Sequence, residues 1–375
     1  MKHKVAILGS GNWGSAIAKV VGQNVRQHPE LFEDEVRMYV YEELVDGERY
    51  LTSIINTNHE NVKYLPGVKL PDNIVADPDP IRTAEDATLL IFVLPHQFVN
   101  SLCHKLKGKL HHRAKAISLI KGMAFNEKGP VLISSIIEDI LGIDVSVLCG
   151  ANIAKDVAWE HFSETTVGYK DKEVAQVWKQ VFHSPSFNVG LVEDIAGVEL
   201  CGALKNIIAV GLGMADGLGA GANTKAAIMR IGLAEMRRFA ETFFKGVKQE
   251  TFFESCGVAD LIVTCFFGRN RKVAAAFVKQ KKSFEQLEKE MLHGQKLQGT
   301  LTAQEVNTIL KRANLTHRHN FTPCLLRLVM RKFPLMTTIY EVCFEKKDPH
   351  SLTDSGIASP HALALLQHPP RSGSV

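Results

Sequence analysis

The fold of this 375-residue chain is decided by one stretch near its start, Val5-Ala6-Ile7-Leu8-Gly9-Ser10-Gly11-Asn12-Trp13-Gly14. The apolar run predicts a buried strand, and the G-x-G-x-x-G spacing after it predicts a turn into a helix that faces a dinucleotide pyrophosphate. Gly9 permits the tight turn, Gly11 lets the backbone approach the phosphates, and Gly14 lets helix and strand pack closely. Glycine triplets also mark ordinary turns. The triplet at residues 9–14 is followed by an amphipathic helix, and this favours dinucleotide binding over an ordinary turn. The apolar face of the helix consists of Ile17, Val20, Val21 and Val25.

Length and composition indicate a globular enzyme of about two domains. Lys and Arg number 44 against 40 Asp and Glu, and this excess is too small to indicate nucleic acid or a membrane surface as a partner. The seven cysteines contain no C-x-x-C pair, which favours free thiols in a reducing compartment. No segment is a convincing membrane span. We therefore expect a cytoplasmic protein.

Apolar runs separated by helix-length segments fill the first half of the chain. Near-continuous apolar strands of this kind indicate a parallel sheet covered on both faces. The predicted strands are Val5–Leu8, Val36–Tyr41, Ala87–Leu94, Ala114–Ile120, Val145–Cys149 and Phe187–Val192.

The second half changes character near Asp194, where segments rich in Ala, Leu, Gly and Met predict packed helices. The expected fold class is α/β, with an N-terminal doubly wound, mainly parallel sheet followed by an all-helical domain. The expected boundaries are 1–193 for the first domain, 194–348 for the second, and 349–375 for a loose tail.

Three predicted strands end in segments that are candidate site loops, because ligands of doubly wound sheets lie at the carboxyl ends of the strands. These segments are Pro95-His96-Gln97-Phe98, Lys121-Gly122 and Gly150-Ala151-Asn152-Ile153-Ala154. Lys121 has an ordinary alternative, a solvated residue where a strand meets a loop.

Lys205 stands alone in the apolar segment Cys201–Val210. Burial in such a helix would lower the pKa of the lysine and suit it to proton transfer. A lysine can also extend from one helix face into solvent, and spacing alone does not separate these two interpretations.

Other polar residues in the second half are candidates for substrate contacts. Asp260 and Thr264 are four residues apart in an apolar helix, so they need polar partners, which a lysine, a ligand or an internal hydrogen bond would supply. Arg269 and Asn270 follow a turn at Gly268, an arrangement that suits phosphate at a helix N-terminus, although a solvated basic patch is the alternative. The histidines lack further ligands at metal spacing, so we expect no metal.

Together these segments resemble the NAD-dependent glycerol-3-phosphate dehydrogenases of the eukaryotic cytosolic type. The resemblance runs from about Val5 to Leu310 and resumes near Lys332 to Phe344. It is carried by ten motifs in order: GSGNWGSAIAK, NVKYLPG, PHQF, SLIKG, GANIA, ELCGALKNIIAVG, DGLGAGANTKAA, GVADLIVTC, GRNRKVA and GQKLQG.

The resemblance implies a Rossmann domain, a helical substrate domain, a homodimer, and the interconversion of dihydroxyacetone phosphate and sn-glycerol 3-phosphate with NAD as cofactor. It makes Lys205 the general acid and base. It implies that the substrate oxygens are surrounded by Lys121, Asn206, Asp260 and Thr264. It implies that Lys121, Arg269 and Asn270 bind the substrate, with Arg269 and Asn270 at its phosphate. It implies that the cofactor is bound by Gly9, Ser10, Gly11, Asn12, Trp13, Gly14, Phe98, Ala154, Arg269, Lys296 and Gln298.

Three departures from the family pattern stand out. Phe267 occupies a position where the family usually has a second glycine, and its ring would narrow the phosphate loop or change its backbone angles. The segment 318–331 interrupts an otherwise continuous pattern, so we expect a dispensable surface excursion or a short extra helix. The tail beyond Asp348 also lacks a counterpart.

Two rival functions share part of this pattern. A dehydrogenase of hydroxyacyl or sugar-acid substrates would have the glycine loop without Lys205, Asp260 and the phosphate arginine. A redox-sensing protein would hold NADH without turnover and would not need both lysines. The segment Tyr41-Glu42-Glu43 further predicts NAD over NADP, because carboxylates near the adenine ribose would repel a 2′-phosphate.

Overall fold

The computed structural model describes residues 2–126, 129–316 and 332–353, and these form two compact units. The first, here the sheet unit, contains residues 2–124, 131–199 and 254–256. The second, here the helical unit, contains the remaining described residues.

Twelve strands and fourteen α-helices make up the regular structure of the described residues. The strands are β1 (His3–Leu8), β2 (Phe32–Tyr39), β3 (Leu44–Val45), β4 (Arg49–Tyr50), β5 (Ile74–Asp77), β6 (Leu89–Phe92), β7 (Lys115–Ser118), β8 (Met123–Asn126), β9 (Gly129–Leu132), β10 (Val145–Cys149), β11 (Ser163–Gly168) and β12 (Phe187–Val192). The helices are α1 (Asn12–Gln27), α2 (Leu51–Asn58), α3 (Pro80–Ala84), α4 (Val99–Leu106), α5 (Ile133–Leu141), α6 (Ala154–Ala158), α7 (Lys172–Phe182), α8 (Ile195–Gly217), α9 (Ala222–Phe243), α10 (Asp260–Phe267), α11 (Arg269–Gln280), α12 (Phe284–Leu292), α13 (Gln298–Thr316) and α14 (Pro334–Phe344).

The sheet unit is built on an eight-stranded sheet with the order β12-β11-β10-β7-β6-β1-β2-β5. Every pair of neighbours is parallel except β10 and β11. The chain extends the sheet from β1 to β2 and β5 on one side, then returns to β6 on the other side of β1. This reversal defines a doubly wound Rossmann sheet and confirms the expected α/β fold class.

Strand β1 shows why the sheet is buried on both faces. Val5 and Ile7 belong to one apolar cluster, whereas Ala6 and Leu8 belong to a second one. Alternate side chains of a strand point to opposite faces, so a continuous apolar run supplies both clusters. The apolar face predicted for α1 is buried in the first cluster, as Ile17, Val20, Val21 and Val25.

The predicted strands are present, with boundaries that differ by a few residues. Val145–Cys149 and Phe187–Val192 have the predicted bounds, whereas β2 begins four residues before Val36 and ends two before Tyr41. Two strands of the sheet, β5 and β11, were not among those predicted. Strand β11 has the sequence Ser-Glu-Thr-Thr-Val-Gly, whose polar side chains hide the apolar signal of a buried strand.

The helical unit confirms that the second half of the chain is almost wholly helical. A π-helical turn, Ser255–Ala259, precedes α10. Among the described residues one helix, α8, has the length and apolar composition to cross a membrane. However, 89% of its apolar window is buried inside the protein, and this burial accounts for its composition.

Helix α14 is held at its start by side chains of α9. The fully buried carboxylate of Glu235 accepts hydrogen bonds from the N–H groups of Leu335 and Met336, at 2.8 and 2.9 Å. Burial raises the pKa of Glu235 to about 8, against these hydrogen bonds. Arg238 donates to the carbonyl of Lys332. The segment 318–331, expected as an excursion before this helix, lies outside the described residues.

The first residues of the predicted tail are ordered. Pro349–Leu352 forms a 3₁₀ turn capped by Asp348, and Leu352 is buried. Six cysteines are present as thiols, while Cys324 lies outside the described residues. Within the described ranges no three His, Cys, Asp or Glu side chains form a group that could hold a metal ion.

Candidate active site

The glycine loop opens on a cavity of about 530 Å³ in the sheet unit. The glycine loop follows β1 and forms one wall of this cavity. Residues 93–98 follow β6 and form a second wall. These strands are neighbours where the strand order reverses, which is where doubly wound sheets bind dinucleotides. The cavity is lined by Gly9, Ser10, Gly11, Tyr39, Tyr41, Tyr64, Val93, Leu94, Pro95, Phe98, Ser101, Leu102 and Lys105.

Backbone contacts exclude side chains at two of the three glycines. A Cβ at Gly9 would lie 2.6 Å from the carbonyl oxygen of Val93, and a Cβ at Gly14 would lie 2.4 Å from that of Gly9. Gly9 also has a φ of +130°. A Cβ at Gly11 would meet no protein atom within 4 Å, although Gly11 lines the cavity. A side chain there would therefore occupy the space that a ligand needs.

The start of α1 has the features of an anion site. Gly11 is its N-cap, no side chain caps the helix, and its first turn contains no acidic residue. The first N–H groups of a helix need acceptors from outside it, and the helix dipole favours negative charge there. Loop, cavity and helix start thus fit the pyrophosphate of a dinucleotide.

The other residues of the sheet unit that are expected to bind the cofactor do not form one cluster. The Asn12 amide donates to the carbonyl of Tyr64 at 2.8 Å, and Trp13 makes an edge contact with Phe187. Phe98 lies on the cavity wall with its ring half exposed. Ala154 begins α6 and packs against a small apolar cluster of Ala16, Leu65, Val68 and Ala158.

The carboxylates expected near the adenine ribose have partners inside the chain. Glu42 accepts hydrogen bonds from the Thr52 hydroxyl at 2.8 and 2.9 Å, and Glu43 pairs with Lys63. The cavity wall near this strand end is formed instead by Tyr39 and Tyr41. Selection against a 2′-phosphate by these carboxylates therefore stays a prediction without support from their contacts.

Lys121 is half-buried and joins two of the predicted site loops. Its ammonium donates to the carbonyl of Gly150 at 3.2 Å. The N–H of the same peptide unit, on Ala151, donates to the Ser255 hydroxyl oxygen at 3.1 Å, and this hydroxyl donates to the carbonyl of Glu164. The loops after β7 and β10 are thus fixed to each other and to β11.

Lys205 and Asp260 form a buried ion pair in the helical unit. Their residues are 5% and 2% exposed, and the Lys205 ammonium donates to the Asp260 carboxylate. Thr264 lies one helical turn after Asp260 and donates to the same oxygen at 3.5 Å. The interpretation of Lys205 as a lysine that extends into solvent is therefore wrong. Of the partners considered for Asp260 and Thr264, a lysine and an internal hydrogen bond are both present.

A chain of amide hydrogen bonds starts at Asn206, which follows Lys205 in α8. The Asn270 amide donates to the Asn206 side-chain oxygen at 2.8 Å and accepts from the N–H of Gly299 at 2.9 Å. A Cβ at Gly299 would lie 2.4 Å from the carbonyl oxygen of Asn206. Three of the motifs found in the sequence thus meet at Asn270.

Arg269 begins α11, whose N-cap is Gly268 with no capping side chain and no acidic residue in the first turn. Its exposed guanidinium donates to the Gln295 side-chain oxygen at 2.8 Å. An uncapped helix start with an arginine beside it is suited to a phosphate group. Arg269 and Lys272 are both exposed on this helix, so the solvated-patch alternative stays open.

The two residues expected from the GQKLQG motif have partners in the helical unit. Lys296 forms an ion pair of 3.0 Å with Glu288, whose hydrogen bond raises the pKa of the lysine. Gln298 begins α13 and donates to the Thr302 hydroxyl.

Phe267 lies immediately before the turn that precedes Arg269. It is the last residue of α10, and its side chain is 68% exposed. Gly268, which follows it, has an extended backbone with φ −67° and ψ 153°. A Cβ at Gly268 would lie 2.4 Å from the carbonyl oxygen of Thr264, so the close approach requires glycine at 268. The expected narrowing by Phe267 is not observed.

Several supporting residues were missed by sequence reasoning. Asn61 begins the NVKYLPG motif and is fully buried beside the glycine loop. Ser255 lies two residues before the GVADLIVTC motif. It fixes the loop after β10, whose Gly150 carbonyl accepts a hydrogen bond from Lys121. Glu288 is buried and also accepts from the N–H of Leu297. Motif membership was the available signal for Asn61, whereas nothing local marked the other two.

A glycine loop at the reversal of a doubly wound sheet, together with a buried lysine–carboxylate pair in a helical unit, is typical of nicotinamide-dependent dehydrogenases with two domains. Two family models match the chain: the N-terminus of NAD-dependent glycerol-3-phosphate dehydrogenase over residues 4–175, and its C-terminus over residues 194–354. The chain therefore belongs to the NAD-dependent glycerol-3-phosphate dehydrogenase family, and its cofactor is NAD.

Individual relatives agree with this family. The cytoplasmic NAD(+) glycerol-3-phosphate dehydrogenase of Homo sapiens is 54% identical over 343 residues, which cover 91% of this chain and 94% of that one. The glycerol-3-phosphate dehydrogenase 1-like protein of Xenopus tropicalis is 54% identical, with 92% and 94% covered. The solved glycerol-3-phosphate dehydrogenase of Saccharomyces cerevisiae is 43% identical with a TM-score of 0.87, and 95% and 99% are covered.

Proposed function

We propose that this chain interconverts dihydroxyacetone phosphate and sn-glycerol 3-phosphate, with Lys205 as general acid and base. Family membership supports the overall reaction. The observation that carries the assignment of Lys205 is its buried pair with Asp260. The buried ammonium is both a fixed cation and a proton donor, and an oxygen that gains negative charge needs both.

The nicotinamide, when bound, supplies a hydride to the ketone carbon or accepts one from the alcohol carbon. Lys205 then gives a proton to the carbonyl oxygen in the reductive direction and takes it back in the oxidative one. Asp260 holds the ammonium in position, and Thr264 fixes the carboxylate. Burial excludes water, which strengthens these contacts.

Lys121 and Asn206 complete the set around the substrate oxygens. Lys121 brings a second fixed cation, positioned by the Gly150 carbonyl. Asn206 is oriented by Asn270, so its amide dipole has a defined direction. Groups ordered before the reaction need no reorganisation when charge develops.

Arg269 and Asn270 bind the substrate phosphate at the start of α11. A guanidinium beside the free N–H groups of a helix N-terminus makes charge-assisted hydrogen bonds to phosphate oxygens. A phosphate bound away from the reacting carbon supplies orientation as well as affinity. Lys121 is also a substrate-binding residue in this proposal, at the substrate oxygens rather than at the phosphate.

The cofactor site that we propose combines the glycine loop with side chains from other motifs. We propose that Lys296 and Gln298 belong to a loop that closes over the cofactor and that Arg269 also lies near it. The residues are Gly9, Ser10, Gly11, Asn12, Trp13, Gly14, Phe98, Ala154, Arg269, Lys296 and Gln298.

Assembly, location and domain limits extend the same proposal. We propose a homodimer in the cytoplasm, following the family expectation and the cytoplasmic names of close relatives. Neither nucleic acid nor a membrane is among the expected partners. The domains expected at 1–193 and 194–348 remain the proposed cofactor and substrate domains.

Substrate specificity tests this function. We expect NADH oxidation with dihydroxyacetone phosphate and little with dihydroxyacetone or with hydroxyacyl and sugar-acid analogues, because these lack the phosphate that Arg269 binds. A preference for one of those analogues would support the rival dehydrogenase. NADH binding without turnover on any of them would support a redox sensor.

A further inference from the structure

The NVKYLPG motif, residues 61–67, forms a closed loop beside the glycine loop. A bridge between Glu60 and Lys69 closes the loop, and Gly67 turns it with a φ of +80°. Leu65 and Val68 pack in the apolar cluster that includes Ala16 of α1. The motif is thus a fixed support for the first turns of α1.

Asn61 is the polar centre of this support. Its residue is 0% exposed, and its amide nitrogen donates to the Ser10 carbonyl and to the Ser15 hydroxyl oxygen, both at 2.8 Å. Its side-chain oxygen accepts from the N–H of Tyr64 at 3.1 Å. The Ser15 hydroxyl also donates to the Ser10 carbonyl, at 3.3 Å. Two buried donors therefore hold one carbonyl of the glycine loop.

This carbonyl determines the direction of the next N–H group. A peptide unit is planar and trans, so its N–H points opposite to its C=O. Because the Ser10 carbonyl is directed toward buried donors, the N–H of Gly11 is directed away from them. Gly11 lines the cavity, and a Cβ there would meet no protein atom.

We propose that Asn61 is a positioning residue for NAD: it fixes the Ser10–Gly11 peptide so that the Gly11 N–H faces the pyrophosphate. Without Asn61 the peptide can rotate, and binding must then order it. The effect falls on cofactor affinity because Asn61 touches neither the reacting atoms nor the lysine–carboxylate pair. This inference rests on the cofactor role of the glycine loop.

Asn73 supplies a matched control. It is also a buried asparagine that ties α1 to the sheet unit, since its amide donates to the carbonyls of Gly22 and Asp34 at 3.0 and 2.7 Å. Gly22 lies in the second half of α1, and neither Gly22 nor Asp34 lines the cavity. Loss of either asparagine removes similar hydrogen bonds, but only Asn61 holds the glycine loop.

The test is a fluorescence titration with NADH of the wild-type chain and of Asn61→Ala and Asn73→Ala, together with thermal unfolding. We expect about tenfold weaker NADH binding for Asn61→Ala, the equivalent of one ordering hydrogen bond. Asn73→Ala is expected to lose stability while its NADH affinity stays within about twofold. At saturating NADH, kcat and the KM for dihydroxyacetone phosphate should be unchanged in Asn61→Ala.

Asn61→Asp keeps the test usable if the alanine variant fails to fold. It retains the acceptor for Tyr64 and loses the donor to Ser10, so it should also bind NADH at least tenfold more weakly. Unchanged NADH affinity in a folded Asn61 variant would overturn the inference, as would equal weakening in Asn73→Ala. A wild-type chain that fails to bind NADH would instead contradict the proposed function itself.

Discussion

The glycine loop of the sheet unit and the lysine cluster of the helical unit, meaning Lys205, Asn206, Asp260, Thr264 and Asn270, differ in the chemical groups that they present. The glycine loop offers backbone N–H groups, and three of its six residues are glycines without a side chain. The lysine cluster offers side chains, of which Lys205, Asp260 and Asn270 are all buried and hydrogen-bonded to one another or to their neighbours.

The difference shows which substitutions each region tolerates. Backbone recognition depends on space and peptide orientation, so adding a single carbon is enough to disrupt it. Side-chain recognition depends on charge, so removing one partner leaves the other buried without compensation. The first region should respond to alanine replacing glycine, and the second to neutral residues replacing charged ones.

Loss of the Lys205 charge should have the largest effect. Lys205→Ala is expected to lower kcat by about 10²–10⁴-fold, the range for a lost general acid. It should also lower the free energy of unfolding by about 3–5 kcal/mol, because the Asp260 carboxylate stays buried without its partner. NADH binding should be nearly intact. Steady-state kinetics, NADH titration and denaturant unfolding measure the three quantities.

A double variant separates catalysis from folding at this position. Lys205→Met with Asp260→Asn removes both charges and should recover much of the stability while activity remains low. Lys282→Ala, which breaks an exposed ion pair with Glu290, serves as the control and should change neither quantity. Near-normal turnover in Lys205→Ala would show that the assigned mechanism is wrong.

Loss of the Arg269 charge should affect the substrate phosphate. Arg269→Ala is expected to lower kcat/KM for dihydroxyacetone phosphate by about 10–100-fold, because a charge-assisted contact is lost. The low activity with dihydroxyacetone, which has no phosphate, should not fall further. Lys272→Ala removes an exposed cation from the same helix and should leave the ratio of the two activities unchanged. Equal losses on both substrates in Arg269→Ala would argue against phosphate recognition.

Two glycine substitutions test the glycine loop. Gly11→Ala adds a carbon that meets no protein atom, at a residue with φ −65°, so the melting temperature should hold while NADH binds about tenfold more weakly. Gly14→Ala places its Cβ 2.4 Å from the Gly9 carbonyl and should lower the melting temperature. A Gly11→Ala variant with wild-type NADH affinity would mean that the open side of Gly11 does not face the cofactor.

Two buried carboxylates, one in each unit, should make the stability of the chain depend on pH. Glu199 accepts from the N–H groups of Ile133 and Ser134, and burial raises its pKa to about 7. Glu235 has a pKa of about 8 for the same reason. As pH rises from the ordinary value of 4.5, the unfolded chain loses these protons before the folded one does. Stability should therefore fall with pH, up to about 7 for Glu199 and about 8 for Glu235.

Glutamine variants isolate the two contributions. The difference in unfolding free energy between wild type and Glu199→Gln should change with pH up to about 7, and that for Glu235→Gln up to about 8. Chemical denaturation at a series of pH values measures both. Differences that are independent of pH would mean that these carboxyl groups titrate alike in the folded and unfolded chains.

Local patterns predicted the frame of the molecule. The glycine spacing and the apolar period of α1 are encoded within 25 residues, so β1, the turn and the helix followed from them. Lys205 and Asp260 were recognisable because each is a charge in an apolar run. The strand β11 was missed because Thr165 and Thr166 accept hydrogen bonds from Asn152 and Cys256, which a local pattern does not reveal.

Long-range pairings were beyond the sequence patterns. Asn61 lies 51 residues from Ser10, and Lys205 lies 55 from Asp260. Which residues meet over such separations depends on the packed fold. Partners could be predicted by type, as for Asp260, but their identity required the structure.

Steady-state NADH oxidation by the unmodified chain, with dihydroxyacetone phosphate as the substrate, tests the central claim most directly. The account predicts saturable turnover that yields sn-glycerol 3-phosphate, and the reverse reaction with NAD. A folded chain that binds NADH and shows no turnover of dihydroxyacetone phosphate would contradict it.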